Sequence, residues 1–190
     1  IGASAMAANT TGEYNVAVGD NALTANTTAD SNIAVGYDAM KVSTTGNRAI
    51  AIGTCSLFAN TTGCLIIGVG VESLCKNTTG DFNTAVGAQS LSENTTADNN
   101  TAVGFRSLMC NVDGAGNTAV GEGALQDNTS ASNNAAFGRL ALHANSTGDC
   151  NTAVGMATLD ANTTADDNTA VGYQALTAST TGHSNVSIGK

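Results

Sequence analysis

The 190-residue chain contains no proline and no tryptophan. Average usage would give roughly nine or ten prolines at this length. A residue without an N–H is excluded where both edges of every strand are hydrogen-bonded, so the absence points to strands stacked throughout. Aromatic residues are limited to three Tyr and four Phe. That leaves too few large side chains for an ordinary globular core to offset backbone ordering. Lys and Arg number six and are scattered singly in a chain of net charge −9, which argues against nucleic-acid binding, since that needs clustered basic residues. No apolar run approaches the length of a membrane span. The five cysteines, Cys55, Cys64, Cys75, Cys110 and Cys150, form no C-x-x-C pair and share no spacing suited to a metal. His143 and His183 stand alone and read as surface residues. No catalytic constellation, cofactor motif or metal set is present in the pattern, so the chain is not expected to be an enzyme.

What the chain has is repetition. The motif N-T-A-V-G occurs at Asn83–Gly87, Asn100–Gly104, Asn117–Gly121, Asn151–Gly155 and Asn168–Gly172. Its glycine recurs at Gly2, Gly19, Gly36, Gly53 and onward to Gly189, every step 17 residues, without insertion or deletion. Self-similarity of this kind marks a repeat architecture, and a period of 17 suits one coil of a β-solenoid. The predicted fold is therefore all-β: a parallel β-solenoid of about 11 coils, continuous over residues 1–190 and read as a piece of a longer array. Stacked coils lie about 4.8 Å apart, giving a rod roughly 50 Å long.

Two columns of equivalent residues are expected to form the core. One precedes the glycine (Val18, Val35, Ile52, Val69 and their equivalents); the other follows it by four (Leu23, Met40, Leu57, Leu74 and so on). Strand alternation puts Val16 with Val18 on one face and Asn15 with Ala17 on the other. Both faces are restricted in residue type, so one should line the coil and the other meet a second chain, a neighbouring rod or another wall of the same solenoid, or else form a corner ladder of Asn amides along the axis. The glycine column, filled in every coil, calls for positive φ or close backbone approach.

A longer period of four coils, 68 residues, is superimposed: Tyr37, Phe105 and Tyr173 obey it, as do Tyr14 and Phe82. Asn9, Asn26, Asn60, Asn77, Asn94, Asn128, Asn145 and Asn162 all begin N-x-[ST] sequons at the same turn, with Asn99 and Asn185 elsewhere in the coil. They are glycosylation candidates, or else Asn and Thr build the turn by local hydrogen bonds. Ser43, Asn111 and Ser179 interrupt the series once every four coils. Glu13, Asp30, Asp81, Asp98, Asp149 and Asp166 share one column, favouring a solvated acidic edge over calcium bridging.

The "NVAVG", "NIAVG" and "NTAVG" motifs resemble the head repeats of YadA-like trimeric autotransporter adhesins, and equally the "NTAVGYQAL…NTTG" repeats of phage tail-fibre-like and secreted repeat proteins. The resemblance covers the whole chain and implies a parallel β-roll at a cell or virion surface. Three functions follow as expectations. The first is a stiff extracellular fibre that self-associates laterally or head to tail, as a filament or a trimer, with covalent glycans as candidate decoration of its turns. The second is an adhesin or receptor-binding fibre. The third, ice binding, needs a flat array of Thr, which the Thr-Thr pairs do not give if extended.

Overall fold

The computed structural model describes residues 1–190 and contains eleven strands of three residues each, from β1 (Val16–Val18) through β5 (Thr84–Val86) and β8 (Ala135–Phe137) to β11 (Val186–Ile188). They form one parallel sheet in sequence order. Val16 pairs with Ile33, Ala17 with Ala34 and Val18 with Val35, and the same 17-residue offset recurs at every later pair. The chain is a parallel β-solenoid.

Strands are the minor part of the stacking. Of 120 backbone hydrogen bonds, 100 lie outside the strands, and most of these also join neighbouring coils, as in Leu23 N–H to Ala39 O (3.0 Å) and Thr78 N–H to Thr95 O (2.8 Å). A residue lacking an N–H would break this ladder on almost any side of the coil, which accounts for the missing proline.

Three non-glycine columns sit in the left-handed region and bend each coil. They are the columns of Asn21 (φ 56), Leu23 (φ 54) and Tyr14 (φ 59). Only at Gly116 and Gly123 does a glycine replace them. For an L-residue this conformation costs roughly 1–2 kcal/mol, and stacking offsets it in every coil. The motif glycines play a different part. Gly87 has φ 136, and a Cβ there would press into the carbonyl of Gly104 in the next coil.

The interior has an apolar half and a polar half. Leu23, Leu57, Leu74, Leu91 and Leu108 are fully buried beside Ala34, Ala51, Ala85 and Ala102. The Leu column is core, as its spacing predicts. The Val column is not. Val18, Ile52, Val86, Val154 and Val171 are exposed, and it is the Ala17 column of the same strands that faces inward. The expectation is corrected: alternation along the strand puts Val and Ala on opposite faces, and the inward face packs Ala against the Leu row, leaving the Val row outside.

The polar half is built from two asparagines per coil. In the Asn15 column, Oδ1 accepts the backbone N–H of the equivalent residue one coil on, as in Asn100 to Asn83 (2.9 Å) and Asn117 to Asn100 (2.9 Å). Its Nδ2 donates to the carbonyl at the small-residue turn, as in Asn83 to Ala97 O (2.7 Å). The Asn26 column donates to that same carbonyl, Asn94 Nδ2 to Ala97 O at 3.0 Å, so both lone pairs of the oxygen are used. It also links coil to coil, through Asn77 to Asn60 (3.0 Å), Asn94 to Asn77 (2.8 Å) and Asn111 to Asn94 (3.0 Å). These are the axial amide ladders, placed inside the coil.

Candidate functional surfaces

The eight sequon asparagines of the turn lie in that ladder. Asn26, Asn60, Asn77, Asn94, Asn128, Asn145 and Asn162 are fully buried; Asn9, in the terminal coil, is half-buried. Every one of the eight donates Nδ2 to the carbonyl three residues on, as in Asn9 to Gly12 (3.0 Å), Asn128 to Ala131 (3.0 Å), Asn145 to Gly148 (2.9 Å) and Asn162 to Ala165 (3.0 Å). The nitrogen a glycan would need is thus turned away from solvent, and the geometry is that of the other reading, in which Asn builds the turn by local hydrogen bonds. Asn99, outside the ladder, is exposed.

The interruptions acquire a structural meaning. Ser43 is buried and its Oγ has no partner, and neither do Oδ1 of Asn26 and Oδ1 of Asn162, the atoms that Asn side chains in place of Ser43 and Ser179 would have bonded. In the Asn15 column, Ala49 and Ile66 substitute buried apolar side chains and remove the Oδ1 acceptors for the N–H groups of Ile66 and Asn83.

The acidic column forms an outer ladder. Glu13 N–H donates to Oδ1 of Asp30 (2.7 Å), Cys64 N–H to Asp81 (2.7 Å), Asp81 N–H to Asp98 (2.7 Å) and Asp149 N–H to Asp166 (2.8 Å). Asn47, Ser132 and His183 take the same acceptor role through Oδ1, Oγ and Nδ1. Most side chains of the column accept one N–H from the coil before, Ala115 being the exception, so one oxygen of each of these Asp carboxylates is bonded to the backbone. No three His, Cys, Asp or Glu side chains converge as metal ligands.

The cysteines are all unpaired. Burial pushes the thiols of Cys55, Cys75 and Cys110 above their ordinary pKa, and neighbouring carboxylates, Asp38 and Glu72 at Cys55 and Asp127 and Glu93 at Cys110, add to it; at Cys75 the nearby Cys55 thiol and Glu72 contribute. At these three positions the surroundings disfavour the thiolate, the nucleophilic form. His143 Nδ1 stands 4.0 Å from Oδ1 of Asp160, with no nucleophile in the arrangement.

The feature that sequence reasoning missed is the strand wall. The large hydrophobics that are exposed, from Tyr14 and Val16 to Tyr173 and Ile188, fall in four neighbouring columns, those of Tyr14, Val16, Val18 and Tyr37, with Val112 alone elsewhere. Val and Thr project outward from every central strand, Thr84 with Val86, Thr101 with Val103 and Thr118 with Val120. The signal available in the sequence was the second restricted face of the strand; reading Val as interior reversed its sign. In comparisons with family models, curated proteins and solved structures, no match to this chain was found.

Proposed function

We propose that the chain is a non-catalytic structural element: a straight, stiff rod whose repeats supply length to an extracellular fibre at a cell or virion surface. The observation that supports this reading is the unbroken in-register stacking of β1 to β11, reinforced by side-chain ladders along the axis on the inside and on the outside. Coils bonded to their neighbours around the whole perimeter resist bending and resist local opening. The exposed Tyr37 column also holds Asp20, Thr54, Val71, Ala88 and Arg139, a mixture expected for positions facing solvent or neighbours.

Electron microscopy of the native material tests the reading. Straight filaments with an axial repeat of about 4.8 Å support it; compact particles would refute it. A binding module is the second reading, favoured by the exposed rings of Tyr14, Tyr37, Phe82 and Tyr173, which could contact another surface. Discrete fibres ending in a globular tip would favour that alternative.

A further inference from the structure

The strand wall is an apolar strip running the length of the rod. Its two central columns hold Val, Ile, Thr, Ala and Phe137 and not one charged residue, and the flanking columns add Tyr14, Leu65 and Phe82 on one side and Tyr37, Phe105 and Tyr173 on the other. Eleven strands at about 4.8 Å make the strip roughly 50 Å long, and seven residues of bent chain make it roughly 15 Å wide. The face, on the order of 750 Å², has an apolar centre and flanks in which Asp20, Arg48, Glu122, Arg139 and Asp167 stand among the aromatic residues. It matches the roughly 800 Å² that each partner buries in a standard stable interface.

We infer that this wall is the contact face of a twofold pair of chains, two rods packed sheet against sheet along their length. Three observations select a second copy as the occupant. The wall carries one repeat per coil in unbroken register, so a partner that covers it must present the same repeat over the same length, and this chain is such a partner. The wall's area is that of a stable pair. The carboxylates that give the chain its net charge of −9 are kept off the two central columns, and the flanks hold Arg48 and Arg139 beside Asp20, Glu122 and Asp167, so the centre of a pair buries no charge. One sheet face packs on one other about 10 Å away, and an isologous contact of that kind closes at two chains; a third rod would meet only the edge of each wall. The inference goes beyond the fibre reading, since it requires only the solenoid and its wall.

Sedimentation of the full chain tests it. The wild type is expected at twice the chain mass at micromolar concentration. The variant V18E/V86E/V154E, with outward substitutions four coils apart, is expected to fall twofold to the chain mass with its β circular dichroism retained. The control A25E/A59E/A161E, in the column that already holds Lys76 and Glu93, is expected to keep the double mass. A wild type at the mass of one chain or of three, or a folded wall variant that keeps the double mass, overturns the inference. Should the variant fail to fold, carbene footprinting of the wild type decides: labelling of Val86 and Tyr173 is expected to drop between nanomolar and micromolar concentration, and unchanged labelling overturns the pairing. Failure of the rod reading would instead show in particle shape, which small-angle scattering on the same samples reports separately.

Discussion

The gap in the inner amide ladder at Ser43 yields a prediction with an unusual sign, a stabilising polar substitution in a buried site. Asn26 Oδ1 and Ser43 Oγ are both buried without partners, while the ladder resumes beyond them at Asn60 and Asn77 (3.0 Å). Replacing Ser43 by Asn supplies Nδ2 to Asn26 Oδ1 and to the Gly46 carbonyl, and gives Asn60 Nδ2 an acceptor. Each such bond is worth a net 0.5–1.5 kcal/mol or about that, and relief of an orphaned acceptor adds to it. Ordering the longer side chain offsets part of the gain, leaving about 2 kcal/mol. For a chain of this size that is a rise in Tm of roughly 4–8 °C. The opposite change, N94S, removes bonds of 2.8 Å to Asn77 and 3.0 Å to Ala97, together with the one received from Asn111. A loss of about 3 kcal/mol is expected. Thermal and denaturant unfolding of both variants measure the two effects. If S43N is neutral or destabilising, or N94S costs under about 1 kcal/mol, the amide ladder does not hold the polar half together and the reasoning fails.

Other outcomes follow from the same geometry. G87A forces a Cβ into the Gly104 backbone at φ 136; it should cost at least about 3 kcal/mol in denaturant unfolding, and a cost under about 1 kcal/mol would remove the close-approach account of the motif glycine. C150G replaces an exposed residue at φ 58 in a column where Gly116 already stands, and should stabilise by about 0.5–1 kcal/mol. The thiols of Cys75 and Cys110 have raised pKa values, so the fold favours their protonated form. Stability from them is fully present below the unfolded thiol pKa of roughly 8.5 and is lost as pH rises through the higher folded value; a denaturation midpoint that climbs above that pH would contradict the shift. Expressed in a secretory host, folded protein should carry no glycan at Asn26 or Asn94, and peptide mass spectrometry finding those sites occupied would show that the turn does not close as described.

Much of the molecule was legible in the residues. The 17-residue glycine spacing fixed the coil, the strand positions and the register before any coordinate, because a parallel stack without insertions has only one way to align its copies. The inward Leu23 column and the close approach at Gly87 followed from the same count. The missing proline reported the continuous ladder.

Strand alternation makes Asn15 and Ala17 opposite in facing to Val16 and Val18, but it does not say which pair is inside. Hydropathy alone favours Val. The tertiary structure decides for Asn and Ala because the coil, bent at the left-handed columns of Tyr14, Asn21 and Leu23, buries turn carbonyls and N–H groups that need partners, and the amides of Asn83 and Asn94 provide them. Those bends were themselves hidden, since Leu, Cys and Gln are not residues that choose a left-handed conformation on their own. The turn asparagines therefore belong to the interior, and the Val face that composition would have buried is the surface the rod presents. The repeat set the spacing of every side chain; only the closed coil, with its buried polar backbone to satisfy, set which of them look inward.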